Sequence, residues 1–385
     1  MNKMTVGVIG CGMISEIYLQ NITNRFSDVL QVIGCADLNP EASARRAEQF
    51  GIKAMTVEEL LSSDEIEIVL NLTIPATHYE ISKKALLAGK HAYSEKPLAI
   101  RLKDAQELVA LAKERGLQVA AAPDTFLGGG IQTCLKLLEE GAIGKPISAQ
   151  GLLIARGPEG FHPNPEFFYQ PGAGPIMDMG PYYFTALFAM FGKARRVAAM
   201  GKSSFAEKTV MNPHSPKYGE SFPINVESFM STSVEFENGV IASLTTAWDM
   251  SYPYWRSGMP LLTVFGSEGT LCIPDPNTFG GYGENGPMGT AENYVKLRRG
   301  AGEFENIPIR YDFVENSRGL GLADFAGRIS CGKTPRVSGE GSLHVLEMML
   351  GANQSAREGI FYTMTTDAQR PEPMYEDVPG VGQNG

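Results

Sequence analysis

The chain opens on a short apolar strand that runs into a glycine turn and then into an amphipathic segment. Residues 5–15 read TVGVIGCGMIS, in which the β-branched run ends at Gly10 and Gly12 follows two positions later. Gly10 permits a tight turn, and Gly12 has no side chain to keep a pyrophosphate from the backbone. The N–H groups at the start of the next helix then face the anion. This pattern predicts a dinucleotide-binding turn with Gly10, Gly12, Met13 and Ile14 as cofactor contacts.

The second predicted strand tests this interpretation, since the turn alone also suits an ordinary strand-to-helix connection. Ser15 fills the third position of G-x-G-x-x-G and is small enough for close packing of helix on strand. Residues 29–36 read as a buried parallel strand that ends at Asp37, 25 positions after Gly12. A carboxylate at about this spacing accepts hydrogen bonds from the adenosine ribose and repels a 2′-phosphate. Asp37 therefore favours NAD over NADP.

A helix cap is the alternative role for Asp37. Asn39 and Pro40 already supply an N-cap and a first helical residue, which leaves Asp37 for the ribose. Arg45 and Arg46 lie on the helix predicted from Pro40 to about residue 50, and cationic side chains suit a 2′-phosphate. NADP therefore stays an alternative, although the less favoured one.

Length and charge limit the class of protein. The chain has 385 residues, of which 43% are hydrophobic, so two domains with cores of their own are expected. A net charge of −10 argues against non-specific binding to nucleic acid or to anionic membranes. No apolar run is long enough to span a bilayer and the chain begins directly on a strand, which predicts a cytoplasmic protein. The five cysteines include no C-x-x-C pair and the five histidines are scattered, so no metal site is expected.

The first third of the chain alternates short apolar strands with amphipathic helices. This rhythm predicts an α/β domain with a parallel, doubly wound sheet, whose ligands lie beyond the carboxyl ends of the strands. We expect one strand over 66–72 followed by a helix from about residue 78, and another strand over 91–95. The candidate cofactor contacts at these strand ends are Asp37, Thr73, Pro75, His78, Glu95 and Lys96.

Several motifs in register resemble the glucose–fructose oxidoreductase/inositol dehydrogenase (Gfo/Idh/MocA) family. They are the glycine turn, the strand that ends in Asp37, T-x-P-x-x-H at 73–78, E-K-P at 95–97 and the segment GAGPIMDMGPY at 172–182. The resemblance covers most of the chain. It implies a Rossmann domain over 1–123, then an α/β domain over 124–385 built on a large, mostly antiparallel open sheet. It also implies bound NAD or NADP, hydride transfer at a secondary alcohol of a sugar or cyclitol, and homodimers or homotetramers.

Three residues are candidates for this chemistry. A lysine that is partly desolvated beside the nicotinamide releases its proton more readily, so Lys96 can take or relay the proton of the reacting hydroxyl. The alternative for Lys96 is a surface lysine in a turn. By the resemblance, Asp178 binds or polarises the substrate hydroxyl, and position 182 is the family's other acid–base position, often His. Here the residue is Tyr182, whose alternative role is that of an aromatic core residue. The adjacent Tyr183 complicates the assignment.

The second domain offers weaker candidates. The loop over 156–174 is rich in Pro, Gly and aromatic residues and comes just before Asp178, which suits a site that covers the apolar faces of a sugar ring. Arg156 and His162 are therefore candidate substrate contacts, although a lone His in an aromatic loop also suits a structural hydrogen bond. Asn238-Gly239 between two alternating runs predicts a hairpin, and the stretch 275–305 reads as a long surface loop.

Three functions fit these observations. The leading hypothesis is a nicotinamide-dependent dehydrogenase that acts on a sugar, a sugar derivative or a cyclitol. A glycosidase that retains its NAD and oxidises the sugar transiently is a second hypothesis, and it would release no net reduced cofactor. A catalytically idle NAD-binding sensor is a third, and the presence of Lys96, Asp178 and Tyr182 together argues against it.

Overall fold

The computed structural model describes residues 3–251, 254, 259–282 and 293–375, which pack into two compact units. The first unit contains described residues 3–127, 316–346 and 371–375, and the second contains 128–315 and 347–370. A functional division at residues 123/124 stays a prediction. Packing adds a late segment to the first unit because Asn21 donates hydrogen bonds to the Asn316 and Arg318 carbonyls at 2.9 and 2.8 Å.

The strands, in chain order, are β1 Met4–Ile9, β2 Leu30–Ala36, β3 Lys53–Ala54, β4 Ile68–Asn71, β5 His91–Ser94, β6 Val119–Ala121, β7 Pro146–Ile154, β8 Ala194–Lys202, β9 Glu207–Thr209, β10 Ser221–Pro223, β11 Phe229–Phe236, β12 Ile241–Ala247, β13 Leu262–Gly266, β14 Gly269–Ile273, β15 Tyr294–Arg299, β16 Glu305–Pro308 and β17 Tyr362–Thr363. The α-helices are α1 Ser15–Asn24, α2 Pro40–Phe50, α3 Val57–Ser62, α4 Pro75–Leu87, α5 Leu102–Glu114, α6 Gly129–Glu139, α7 Pro175–Asp178, α8 Gly180–Phe191, α9 Leu320–Ser330 and α10 Gly339–Glu358. Among the described residues, none of these helices has the length and apolar character that crossing a bilayer requires.

The sheet of the first unit has six strands in the order β3-β2-β1-β4-β5-β6, with every pair parallel. This is the doubly wound order that the alternation of strands and helices predicts, so the fold class of this unit is confirmed. The carboxyl ends of β1, β2, β4 and β5 meet at one edge. Gly10, Asp37, Thr73 and Glu95 follow these strands and so lie along that edge.

Local sequence explains where the helices of this unit begin. Asn39 caps α2 by accepting a hydrogen bond from the Glu41 N–H at 3.1 Å, and α2 ends at Gly51 with a φ of 65°. Helix α4 begins at Pro75, about three residues earlier than the sequence predicts. Proline is favoured at the first helical position because its φ suits the helix and its missing N–H would have no partner there. The earlier start brings His78 into the first turn of α4.

The sheet of the second unit has nine strands in the order β16-β15-β14-β13-β7-β12-β11-β8-β17. All neighbours pair antiparallel except β7 and β12, which confirms the large, mostly antiparallel sheet. The predicted hairpin is β11–β12, and Gly239 at its turn has a φ of 87°. The predicted loop over 275–305 is wrong in part, because Val295 and Leu297 of β15 are buried where β15 pairs with β14. Residues 283–292 of that stretch lie outside the described residues.

Asp124 ties the end of the parallel sheet to the late segment of the first unit. Its side chain is buried, and Oδ2 accepts hydrogen bonds from the N–H groups of Gly319 and Gly321 at 2.9 and 3.0 Å, at the start of α9. Burial raises the pKa of the Asp124 carboxyl to about 6, against the opposing effect of these hydrogen bonds and of Arg318. Asp124 thus binds a proton more tightly in the folded chain than in the unfolded one.

This linkage predicts a pH-dependent stability. The folded state holds more protons between about pH 4 and pH 6, so the contribution of Asp124 to the free energy of unfolding falls over that window and levels off above it. A shift of about two pKa units corresponds to about 3 kcal/mol. The variant Asp124→Asn keeps an oxygen acceptor but carries no charge. We expect it to lose less free energy of unfolding than the unmodified protein between roughly pH 4.5 and pH 7.5. Asp124→Ala leaves two N–H groups unpaired and is expected to be less stable at every pH. Denaturation midpoints across this range test both, and an unchanged slope for the Asn variant would contradict the assignment.

Candidate active site

The glycine turn after β1 has the two properties that a pyrophosphate cradle needs. Gly10 has a φ of 103°, and a Cβ there would lie 2.6 Å from the carbonyl carbon and oxygen of Leu72, so the turn accepts glycine alone. A Cβ on Gly12 would meet nothing within 4 Å. Gly10 thus makes the turn possible, and Gly12 leaves its outer face open to a ligand. The backbone therefore fits the phosphates of a dinucleotide.

Asp37 has a structural role that the sequence did not indicate. Its Oδ2 accepts a hydrogen bond from the Cys11 N–H at 2.7 Å, inside the glycine turn, and its Oδ1 accepts one from the Asn39 N–H at 2.8 Å. A carboxylate has about four lone-pair positions, so two remain for ribose hydroxyls. Asp37 thus fixes the turn and carries the negative charge at the position where the ribose is expected.

The arginines of α2 differ in their surroundings. Arg45 is exposed, whereas Arg46 donates from Nε to the Ser15 hydroxyl at 3.1 Å and forms an ion pair with Glu16 at 3.1 Å. The Ser15 hydroxyl in turn donates to the Gly12 carbonyl at 2.6 Å. Arg46 therefore joins α2 to the start of α1 and already has an anionic partner, which makes it a poor ligand for a 2′-phosphate.

Exposed apolar side chains surround this edge of the sheet. Met13 is 80% exposed, Leu38 is 96% exposed and Ile74 is 63% exposed, and they follow β1, β2 and β4 respectively. A nucleotide base would cover such side chains, since ligand sites are lined mainly by apolar groups. The sequence motifs do not indicate Leu38 and Ile74, although an apolar residue in the segment after a strand at the ligand edge is a usable signal.

Asn71 and His78 form a buried polar network behind the segment that follows β4. The Asn71 amide donates to the His78 carbonyl at 3.0 Å and accepts from the Thr73 hydroxyl at 2.6 Å. The His78 ring has no exposed surface, and its nitrogens lie 2.7 Å from the Pro97 carbonyl and 2.9 Å from the Thr73 carbonyl. The His78 ring thus contacts main chain at both nitrogens and offers no surface to a cofactor, in contrast to the sequence prediction, whereas Thr73 is half-buried at the edge of the sheet. No sequence motif indicates this role for Asn71.

The E-K-P turn follows β5 at the same edge. Glu95 accepts a hydrogen bond from the hydroxyl of the buried Tyr18 at 2.7 Å, and its other carboxylate oxygen accepts from the Lys96 N–H at 3.1 Å. The Lys96–Pro97 peptide bond is cis, and Lys96 itself is half-buried. Glu95 therefore connects the turn to α1 and holds the main chain at Lys96.

In the second unit, Asp178 and Tyr182 flank the junction of α7 and α8. Asp178 is the last residue of α7, and Tyr182 lies in the first turn of α8. Tyr182 is 8% exposed, while Tyr183 is fully buried and its ring packs against Gly151. Within the described residues the Tyr183 hydroxyl has no hydrogen-bond partner. Tyr183 is therefore a core residue, and Tyr182 is the better candidate of the two.

The aromatic loop predicted over 156–174 packs beside Asp178. Met179, which follows Asp178, contacts a buried cluster formed by Ala155, Tyr169, Val210, Phe222 and Trp248. The His162 ring lies edge-to-face against Phe167 and Phe168, with centroids at 5.3 and 5.1 Å, and its Nδ1 accepts from the Asn164 N–H at 3.0 Å. These contacts hold the His162 ring within its own loop. Arg156 is exposed at the end of β7.

A buried ion pair anchors this loop. Lys208 donates to Glu159 at 2.9 Å and to the Trp248 carbonyl at 2.6 Å, and the Tyr169 hydroxyl donates to the other Glu159 oxygen at 2.5 Å. Glu159 is 3% exposed. No sequence pattern indicates this pair, because the partners lie 49 positions apart in irregular and short-strand segments.

Two profiles of one protein family match this chain. The profile described as "Oxidoreductase family, NAD-binding Rossmann fold" matches residues 4–122, and the profile of the Gfo/Idh/MocA C-terminal domain matches residues 131–272. Together the two profiles cover well over half of the chain. The protein belongs to the Gfo/Idh/MocA family of oxidoreductases and has its NAD-binding Rossmann fold, which confirms the predicted resemblance.

Individual relatives show which activities occur among similar chains. The 1,5-anhydro-D-fructose reductase of Ensifer adhaerens is 27% identical over 336 residues, which span 86% of this chain and 90% of the relative. The myo-inositol 2-dehydrogenase of Thermotoga maritima is 23% identical over 360 residues, spanning 92% and 97%. The crystal structure of the WlbA dehydrogenase from Bordetella pertussis, in complex with NADH and UDP-GlcNAcA, has a TM-score of 0.71 at 18% identity and covers 95% of this chain and 100% of that one. At 18% identity, this structural likeness supports the fold of the chain and nothing further.

Proposed function

We propose that the protein is an NAD-dependent dehydrogenase that acts on a secondary alcohol of a sugar, a sugar derivative or a cyclitol. The observation that carries the proposal is the position of Lys96, which follows β5 at the same sheet edge as the glycine turn and Asp37. NAD, when bound there, supplies the acceptor for the hydride that leaves the alcohol carbon. The names of the two curated relatives support a ring-shaped polyol as the substrate class.

The proposed roles follow from the chemistry of each side chain. Lys96 hydrogen-bonds the reacting hydroxyl and takes its proton as the carbon is oxidised, while Glu95 holds the main chain beneath it. Asp178 binds or polarises a substrate hydroxyl, and Tyr182 is a second group that can hold the proton. Arg156 and His162 are proposed substrate contacts from the aromatic loop.

The cofactor preference is proposed to depend on the charge of Asp37. We expect Asp37→Ala to narrow the gap between NADH and NADPH affinity by about tenfold, because repulsion of the 2′-phosphate and the ribose hydrogen bonds are both lost (about 1.4 kcal/mol). Asp37 also holds the Cys11 and Asn39 N–H groups, so Asp37→Asn is the matched variant that keeps an acceptor without the charge.

Fluorescence titration with both reduced cofactors measures this effect. Asp28→Asn, an exposed acid before β2, is the control and should leave both affinities unchanged. An NADH to NADPH affinity ratio that is the same in the two Asp37 variants and the unmodified protein would reject the assignment of Asp37.

The function itself is tested by following reduced-nicotinamide absorbance with NAD and then NADP against a panel of sugars, sugar acids and inositols. Turnover with a polyol supports the dehydrogenase and identifies the substrate class. Absence of net reduction, together with cofactor that stays bound through purification, favours the glycosidase with retained NAD. Bound cofactor without any turnover of sugars or glycosides favours the sensor.

A homodimer or homotetramer is also proposed. The buried positions of β11 and β12 alternate with residues that point to the other face of the sheet. Several of these are uncharged, among them Ser231, Ser233, Ile241 and Ser243, and Glu235 is a charged exception that pairs with Arg196. Such a face suits pairing with a second copy, and light scattering on the purified protein tests it. A cytoplasmic location stays a prediction.

A further inference from the structure

The His78 ring connects two segments that the cofactor-binding edge of the first unit depends on. One ring nitrogen lies 2.9 Å from the carbonyl of Thr73, which belongs to the segment after β4. The other lies 2.7 Å from the carbonyl of Pro97, the residue directly after Lys96. The side chain has no exposed surface, so water does not compete for either contact.

Both contacts are to main-chain carbonyls, which only accept hydrogen bonds. A neutral imidazole has one N–H and can donate to one of them, whereas a ring protonated at both nitrogens donates to both. Burial and the charge of Lys96 lower the pKa of His78, while the two carbonyls and Glu95 oppose that shift. In either state the ring fills the space between the two segments and donates to at least one of them.

Neighbouring bonds make this connection rigid on the β4 side. Asn71 is fully buried, and its amide donates to the His78 carbonyl at 3.0 Å and to the Ser82 hydroxyl at 3.2 Å. Its amide oxygen accepts from the Thr73 hydroxyl at 2.6 Å. A shift of the His78 ring is therefore transmitted toward Pro97, since the Thr73 end is held by further bonds.

We propose that His78 is a positioning residue that holds the Lys96–Pro97 turn against the segment at Thr73 and thereby fixes where the Lys96 amine lies. The proposal rests on the proposed function only for the catalytic role of Lys96. His78 does not touch the substrate in this assignment, and it acts through the Pro97 carbonyl.

Two substitutions separate positioning from simple packing. His78→Gln keeps a side-chain amide that can donate to one carbonyl, whereas His78→Phe fills a similar volume and donates to neither. We expect kcat to fall about a hundredfold in the Phe variant, since a displacement of about 1 Å can cost that much. The Gln variant should retain most of kcat, and NADH affinity should change by less than about threefold in both (below ~1 kcal/mol). Wild-type kcat in the Phe variant, or an equal loss in both variants, would overturn the proposal.

A second measurement needs no substrate. Acylation of Lys96, followed by peptide mass spectrometry, is compared with acylation of the exposed Lys113 in the same molecule. The ratio of the two rates should change in His78→Phe and stay near its wild-type value in His78→Gln. An unchanged ratio in the Phe variant would overturn the positioning role. The two proposals can fail separately. If the ratio changes in His78→Phe but Lys96→Met still turns over substrate, the proposed catalytic role of Lys96 is wrong and the positioning role of His78 stands.

The unmodified protein provides a third test if the Phe variant does not fold. Ring-nitrogen NMR of protein labelled at histidine should contain a slowly exchanging imidazole N–H that is absent from His78→Gln, while any slow signal of His344, whose side chain is equally buried, should remain. A spectrum in which His78→Gln removes no slowly exchanging N–H would contradict the buried hydrogen bonds on which the proposal depends.

Discussion

Lys96→Met is expected to abolish turnover while NADH still binds with nearly unchanged affinity. Methionine keeps an unbranched apolar stem of similar length but cannot take a proton or hydrogen-bond the reacting hydroxyl. Proton transfer by a positioned group contributes about 10²–10⁴ in rate, so kcat should fall by about a thousandfold. Steady-state kinetics with the substrate found in the panel, together with NADH fluorescence titration, measures the two quantities separately.

The matched control is Lys113→Met, which makes the same chemical change at an exposed position near the end of α5. It should leave both kcat and NADH affinity unchanged. A Lys96→Met enzyme that keeps kcat within about tenfold of wild type would remove lysine from the proton transfer, and Tyr182 would then be the remaining candidate. A large loss of NADH affinity would indicate instead that Lys96 serves mainly to bind cofactor.

Alanine at the two glycines of the first turn should have opposite consequences. At Gly10 the added Cβ would lie 2.6 Å from the Leu72 carbonyl and the φ of 103° would be strained, so we expect a loss of stability of about 3–5 kcal/mol. For a unit of this size that corresponds to a fall in the denaturation midpoint of about 10 °C. At Gly12 the Cβ meets nothing, so stability should be unchanged, but the methyl group stands where the pyrophosphate must approach. NADH affinity should therefore fall about tenfold or more (at least ~1.4 kcal/mol).

Gly51→Ala separates strain from steric overlap, because Gly51 has a positive φ of 65° and open space around its Cβ position. It should cost about 1 kcal/mol, well below the Gly10 variant. Thermal denaturation and NADH titration of the three variants test the whole set. A Gly12→Ala protein that binds NADH as tightly as wild type would contradict the cradle, and a stable Gly10→Ala protein would contradict the close approach of β1 to the Leu72 segment.

Much of the first unit follows from local sequence. The glycine turn, the Asn39 cap with Pro40, and the alternation of strand and helix each depend on residues within a few positions of one another. The same holds for the Asn238-Gly239 hairpin in the second unit. Turn conformation, capping and side-chain period are local properties, and for that reason the element types and the edge of the sheet that carries the motifs could be predicted without coordinates.

Tertiary structure alone decided how the candidate residues are held. Asp37 accepts a hydrogen bond from the Cys11 N–H across 26 positions, and Glu95 accepts one from the Tyr18 hydroxyl. The His78 ring joins the Thr73 and Pro97 carbonyls. The Gly319 N–H of the late segment donates to Asp124. Residue type and spacing carry no record of such pairs, since any buried carboxylate or imidazole needs a partner and the chain can supply it from any distance. The sequence by itself determined which groups are available for a dinucleotide and a proton transfer. Folding determined which of them point outward and which are held inside, because burial leaves each polar atom only the partners that the fold brings within hydrogen-bond distance.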